Sequence, residues 1–297
     1  LLSEICIEAG LPPGVLNIVH GLGNKVGDAI VSHPGIPLIS FTGGTSTGKT
    51  IASIAAPMFK KLSLELGGKN PNIIFADCDY EKMLSSTMRS SFSNQGQICL
   101  CGSRIFIERS IYEKFKLDFI SKTKALLVGN PIEDKTNIGA IVSKEHQQKI
   151  LSYIELAKTE GGKIICGGKA KIVDGDFEGG YFIEPTIIEG LKYNCRSNQE
   201  EIFGPVVSIT PFDSEEEALM MANSTIYGLA GIVWTENLTR AHRLANNLKA
   251  GIVWINCWLL RDLRTPFGGV KASGVGREGG FEGLDFFTEP KNVCIKF

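Results

Sequence analysis

Histidine is scarce in this sequence, with only four residues, at positions 20, 33, 146 and 242. Cysteine pairs at CxxC spacing are missing altogether. The eight cysteines are scattered at 6, 78, 99, 101, 166, 195, 257 and 294, so neither a zinc site nor a redox dithiol is suggested. Scattered reduced thiols fit a cytoplasmic setting. No apolar run is long enough to span a bilayer. An excess of charge of either sign is missing too: 31 basic residues face 32 acidic ones. No field therefore favours nucleic acid or an anionic membrane surface. Repeats and low-complexity tracts are absent, which excludes solenoids and disordered linkers. The chain opens on Leu1, without methionine, in a helix-like stretch, and the expectation is a fragment of a longer protein.

What is present suffices for a large core and more than one domain in 297 residues. Leu1 to Ala9 reads as a helix stopped by Gly10, followed by a short apolar strand at Val15 to Val19. A helix from about Asn24 to Ser32, a strand at Pro37 to Phe41, a helix at Ile51 to Ala56 and a strand at Lys61 to Leu66 follow. This β-α-β alternation implies a parallel sheet covered by helices. Beyond Gly67-Gly68 the alternation resumes with clearer caps: Asp79 before a helix to about Phe92, a capping box at Ser110-Ile111-Tyr112-Glu113, and Ser143 before an apolar stripe of Ile150, Leu151, Ile154 and Ala157. Further strands are expected at Val206 to Pro211, Gly231 to Trp234 and Ile252 to Ile255, with helices at Glu215 to Ala222 and Leu238 to Leu248. Phe286 to Phe297 alternates loosely, as a strand pairing outside its own domain would.

Two segments carry chemistry. Ser93-Asn94-Gln95-Gly96-Gln97-Ile98-Cys99-Leu100-Cys101 sets a cysteine between a glycine-containing turn and the strand-like Arg104-Ile105-Phe106-Ile107. On this stretch alone Cys99 reads equally as a small buried hydrophobe. Earlier, Lys61-Leu62-Ser63-Leu64-Glu65-Leu66-Gly67-Gly68-Lys69-Asn70-Pro71 places a carboxylate inside an apolar strand, where it is costly unless used. A thiol nucleophile with a desolvated carboxylate can form a thioester and then hydrolyse it. A third segment, Gly43-Gly44-Thr45-Ser46-Thr47-Gly48-Lys49-Thr50, satisfies the P-loop pattern GxxxxGKT between a strand and a helix. Ile73-Ile74-Phe75-Ala76-Asp77 even supplies a Walker-B-like partner. A nucleotide triphosphatase is thus one reading of it, and a phosphate cradle is common to either reading.

Taken together, Leu64 to Lys69 and Asn94 to Cys99 resemble the paired signature of the aldehyde dehydrogenase superfamily. Glu200-Glu201-Ile202-Phe203-Gly204-Pro205, Tyr227-Gly228-Leu229-Ala230, Asn256, Pro266-Phe267-Gly268-Gly269-Val270-Lys271 and Ser273-Gly274-Val275-Gly276-Arg277-Glu278 are similar to further blocks of that family, in its order. The resemblance implies an α/β fold: a partial Rossmann-like NAD-binding domain over 1–66, a catalytic domain over 67–272 and a C-terminal segment over 273–297 with an oligomerisation strand. It also implies a homo-dimer or homo-tetramer acting on a small-molecule aldehyde with NAD. Cys99 would be the nucleophile and Glu65 the base for thioester hydrolysis. Gly43, Gly44, Gly48 and Leu66 would face the dinucleotide, Glu201 would hold the nicotinamide ribose, and Phe203 would pack beside the ring. Gly44 departs from the small hydroxyl residue usual there. No histidine falls near these blocks, so backbone amides and the cofactor's charge are expected to favour the thiolate, and Cys101 is expected to be packing. The family's oxyanion-hole asparagine and its adenosine-ribose residues belong to motifs that would precede Leu1.

Asn256-Cys257-Trp258-Leu259-Leu260-Arg261-Asp262-Leu263-Arg264-Thr265-Pro266-Phe267-Gly268-Gly269 is similar to the branch oxidising 2-aminomuconic or 2-hydroxymuconic semialdehydes. Many relatives carry an aromatic residue at Arg261, and a guanidinium there suits a substrate with a distal carboxylate. Oxidation of retinal or another medium-chain aldehyde is the alternative within enzymes, and an inactive structural or oligomerising fragment the alternative outside them.

Overall fold

A computed structural model describes residues 1–297. Helix α1 (Leu2–Glu8) opens the chain, and α2 (Asp28–Ser32) ends a second helical stretch. β1 (Leu38–Thr42), α3 (Thr45–Ala55), β2 (Lys61–Glu65) and β3 (Pro71–Ile74) follow. Next come α4 (Tyr80–Phe92), β4 (Arg104–Glu108), α5 (Arg109–Lys124) and α6 (Lys144–Thr159). β5 (Lys163–Cys166), β6 (Ala170–Lys171), β7 (Phe182–Ile183) and β8 (Thr186–Glu189) lead to α7 (Arg196–Gln199) and β9 (Val206–Phe212). α8 (Glu215–Asn223), β10 (Ala230–Trp234), α9 (Leu238–Asn247), β11 (Ile252–Ile255), β12 (Gly274–Val275) and α10 (Gly280–Phe287) complete the order.

The strands form two principal sheets, the mixed α/β arrangement that the alternation predicts. Seven strands in the order β11-β10-β3-β4-β9-β8-β5 make the larger sheet, parallel throughout except for β5 on β8. Its central strands read as continuous apolar runs because helices cover both faces: Ile73, Ile74, Ile105, Phe106 and Ile107 are all buried. In the smaller sheet β1 and β2 are parallel, with Thr42 opposite Glu65, and β12 pairs antiparallel with β2 so that Gly274 also faces Glu65. The segment Gly67–Asn70 passes from β2 into β3. It lies between the C-terminal end of β2 and the N-terminal ends of β3 and β4, where Pro71 pairs with Arg104. No helix is long and apolar enough to cross a membrane.

Caps at Asp79 and Ser143 form as expected, each side chain accepting a backbone N–H, from Lys82 and His146 respectively. The Tyr112, Phe115 and Phe119 stripe is buried. Four expectations fail. Val15 to Val19 makes no strand and stays largely exposed, since an apolar pentapeptide becomes a strand only beside a pairing edge and β1 pairs only with β2. The capping box at Ser110 does not form, because β4 runs straight into α5. Ser110 is therefore already helical, and its hydroxyl donates to Glu108 Oε1 at 2.9 Å. α3 begins at Thr45, six residues before the expected Ile51. Finally, the strand expected at Phe286 to Phe297 is shortened, because Phe286 and Phe287 close α10; the remainder of that stretch, 288–297, lies outside regular structure.

Candidate active site

Cys99 is reached through a turn of unusual backbone. After α4, Asn94 (φ 48°) and Gln95 (φ 56°) are both left-handed, and Gly96 (φ 67°) follows. A Cβ on Gly96 would sit 2.2 Å from the Gly204 carbonyl oxygen, so only glycine fits. The turn delivers Cys99 half-buried into a crevice that it shares with Gly68, Glu201, Phe203 and Gly204. Asn70 fixes the loop from beneath, donating to the carbonyls of Cys99 (2.7 Å) and Cys101 (2.9 Å) and accepting from Ala230 N–H (3.0 Å). Trp258 Nε1 donates to the Leu100 carbonyl at 3.0 Å. Burial pushes the Cys101 thiol up to about 12, which suits an inert packing residue. The Cys99 thiol is also pushed up, first by burial and then by the Glu201 and Glu65 charges. Its own backbone amide favours the thiolate, as expected, and so does Arg261, but both are outweighed.

Glu65 ends β2 and is 5% exposed. Burial first, then the Glu278 charge, raises its carboxyl to about 7, against Arg277, the Gly269 amide and Arg261. Oε1 has no hydrogen-bond partner, and a Cβ on Gly268 would come within 2.7 Å of it. A carboxyl poised near neutrality exchanges protons at working pH, as a general base must. Glu201, half-buried across the crevice, accepts from Gly68 N–H at 2.8 Å. Its carboxyl is likewise raised by burial, with the Gly68 amide, Lys149, Lys69 and His146 opposing. Phe203 adopts φ 61°, and its carbonyl lies 2.6 Å from His146 Nε2. A histidine thus does reach a key segment, which chain order had not suggested.

The glycine segment is no P-loop. That motif wraps a phosphate in the loop that leads into its helix, whereas here the helix already begins at Thr45, within that loop, and the amides from Gly48 onward bond within α3. Lys49 is exposed, and Gly48 is buried because a Cβ there would come within 2.5 Å of the Leu66 side chain. Asp77 follows β3, in the other sheet, and accepts from Thr235 and Arg240. What remains is an 11-residue helix whose head carries Gly43 and Gly44. Gly43 N–H donates to the Glu65 carbonyl at 3.0 Å, which ties this head to the end of β2. A cleft of about 610 Å³ adjoins it, lined in part by Asn24, Asp28, Ser40, Ser46, Thr47 and Thr50.

Arg261 stands apart from the crevice, exposed in the Leu260–Pro266 stretch, with its guanidinium 4.1 Å over the Phe267 ring. Asp262 is taken by Arg264, whose Nε lies 2.9 Å away, so Arg261 is not neutralised by its neighbour. Its charge still lowers both Glu65 and Cys99. One buried residue escaped sequence reasoning entirely: Arg104, 1% exposed, donates to the carbonyls of Lys69 (2.9 Å), Met221 (2.8 Å) and Ala222 (2.7 Å). It stitches the Glu65–Asn70 segment to the large sheet. Only its place just after the cysteine loop hinted at this.

A family profile described as "Aldehyde dehydrogenase family" matches residues 1–293. The chain belongs to the aldehyde dehydrogenase family. It is 54% identical over its whole length to the 2-aminomuconic semialdehyde dehydrogenase of Danio rerio and covers 61% of that protein. It is 47% identical, with the same coverage, to the 2-hydroxymuconic semialdehyde dehydrogenase of Pseudomonas sp. (strain CF600). Among solved structures, betaine aldehyde dehydrogenase from Staphylococcus aureus in complex with NAD+ superposes with a TM-score of 0.92 at 44% identity, over 96% of this chain and 56% of that one. This member of the family therefore spans about three fifths of the length of the relatives it matches.

Proposed function

We propose that the protein carrying this sequence oxidises an aldehyde to a carboxylic acid with NAD+ as the hydride acceptor. The observation that carries this reading is the convergence of Cys99, Glu201 and Phe203 in one crevice, with the Glu65 carboxyl beside it poised near 7. The residues suit a dinucleotide. The amides at the head of α3 and its N-terminal dipole favour a pyrophosphate, the adjoining cleft offers hydroxyls, and the Glu201 carboxylate can accept from a ribose. When bound, NAD+ supplies the acceptor for the hydride. Cys99 Sγ attacks the aldehyde carbon, giving a thiohemiacetal, and loss of hydride from that carbon leaves a thioester on Cys99. Glu65 then takes a proton from water as it attacks the thioester, and the acid and the free thiol are released. Because burial and two carboxylates raise the thiol, a bound cation near it would favour the thiolate.

For the substrate we assign a semialdehyde bearing a distal carboxylate, as in the muconic semialdehydes on which the similar dehydrogenases are named to act. The support is Arg261, held over Phe267 and left without a carboxylate partner. Residues 288–297, with Val293, Ile295 and Phe297 exposed, support a strand that pairs with a second copy in a homo-dimer or homo-tetramer. The substrate test is Arg261→Leu. An exposed charge-assisted pair is worth roughly tenfold, so kcat/KM for a carboxylate-bearing semialdehyde should fall about tenfold, mainly in KM. Activity on an uncharged aldehyde of equal length should hold. Equal losses on both substrates would remove Arg261 from substrate recognition.

A further inference from the structure

The Glu200–Gly204 segment is gripped along its length from α6, beside the Gly68 N–H on Glu201 and Arg196 on Glu200. His146, Ile150 and Tyr153 lie at i, i+4 and i+7 and so form one stripe along that helix. Tyr153 Oη donates to Glu200 Oε2 at 2.6 Å, on a carboxylate that Arg196 also grips at 2.7 and 3.1 Å. Ile150 is fully buried against Gly204, where a Cβ would come within 2.5 Å of it. His146 Nε2 lies 2.6 Å from the Phe203 carbonyl, and the two rings meet edge to face with centroids 6.0 Å apart. His146 is itself fixed, its N–H donating to the Ser143 cap at 3.2 Å. The next residue, Gln147, donates its side-chain N–H to the Phe182 carbonyl at 3.0 Å.

Phe203 needs such a grip. A bulky side chain at φ 61° is strained and persists only where its surroundings over-determine it. Within the segment's own sequence nothing supplies that constraint, since the glycine beside it is Gly204 and not residue 203. The Phe203 carbonyl leaves this left-handed residue toward α6, and a ring N–H donated to it restrains the backbone there.

We infer that His146 is a positioning residue: by donating from Nε2 to the Phe203 carbonyl it sets the left-handed turn that aims Phe203, and with it Glu201, into the Cys99 crevice. The α6 stripe is then the template for the cofactor side of the site. This rests on the reading of Glu201 and Phe203 as cofactor contacts.

The test combines amide hydrogen exchange over Glu201–Val206 without cofactor, fluorescence titration with NADH, and steady-state kinetics, for His146→Ala, His146→Gln and Phe203→Ala. His146→Ala should speed exchange in that peptide, weaken NADH about five- to tenfold, as the loss of one hydrogen bond does, and raise KM for the dinucleotide without raising that for the aldehyde. His146→Gln, whose amide can donate to the same carbonyl, should restore all three. Unchanged exchange in His146→Ala, or a Gln variant as impaired as Ala, overturns the inference. If Phe203→Ala weakens NADH while His146→Ala does not, the inference alone falls. If exchange quickens in His146→Ala and NADH binding is unchanged in both Ala variants, the cofactor reading of Phe203 falls, and the positioning role with it.

Discussion

Around Cys99 every stretch of chain is held from more than one side. Asn70 takes two carbonyls of the loop, Trp258 a third, and Arg104 clamps the segment that carries Glu65. Between Leu260 and Pro266 the side-chain bonds are local and the side chains face solvent, with Asp262 accepting from Arg264, Thr265 donating to the Asp262 carbonyl and Arg261 lying against Phe267; from outside, the stretch is held at the Leu260 and Leu263 carbonyls, by Trp254 Nε1 and the Gly280 N–H. The first region fixes the groups proposed to react on rigid supports, as catalysis demands. The second decorates the approach with groups that can change without disturbing the frame. The two regions communicate through charge, since Arg261 lowers both Cys99 and Glu65.

The largest effect expected within this contrast is at Cys99. Cys99→Ala should reduce turnover by about 10⁴ or more, as loss of a nucleophile does, with the thermal midpoint little changed, whereas a Cys101 variant should shift the midpoint and keep turnover. Asn70→Ala ranks next, because it leaves two loop carbonyls and the Ala230 amide without their partner. A loss of roughly 1–3 kcal/mol in urea denaturation is expected, with a fall in kcat. An Asn70 variant as stable and active as the parent would show that the frame is not held as described.

The pH dependence of thioester hydrolysis should be intermediate. With Glu65 raised to about 7, the hydrolysis rate should climb as pH rises through that value and level off above it. Glu278→Gln removes a charge that raises Glu65 and should move the limb to lower pH, as single-turnover rates against pH would show. The same shift has a sign for stability. Folding favours the protonated carboxyl, so the stability it contributes is full below about 4.5 and is lost as pH rises through about 7. The smallest effect belongs to the exposed pair. Arg264→Ala should leave the urea midpoint where it was, and a marked loss would mean that the outer loop is part of the frame after all.

Much of the frame was legible because its residues are costly where they stand. A carboxylate in an apolar strand, followed by two glycines, has few readings, and Glu65 with Cys99 came from that cost together with the family blocks. The sheet alternation was equally plain, since buried parallel strands leave continuous apolar runs such as Ile73–Phe75. What stayed hidden depends on contacts across the fold. His146 and Phe203 are 57 residues apart, and no local pattern announces a side chain that will hold a distant carbonyl. Arg104 looked like an ordinary strand residue. The early start of α3 was masked because Thr45, Ser46 and Thr47 are weak helix formers inside a string that spells a P-loop, and the fold overrode the spelling. Val15 to Val19 erred in the opposite direction, because strand propensity without a neighbouring edge makes no strand.

The central claim is the division of labour between Cys99 and Glu65, and it can be tested on Glu65→Gln. Glutamine keeps the shape and loses the base, so acylation should proceed and hydrolysis should stall. Intact-protein mass spectrometry after mixing with aldehyde and NAD+ should then show a mass increase equal to the acyl group, mapped to Cys99, with a single burst of NADH. A folded Glu65→Gln variant that turns over without a trapped adduct would contradict the assignment of Glu65 as the hydrolytic base.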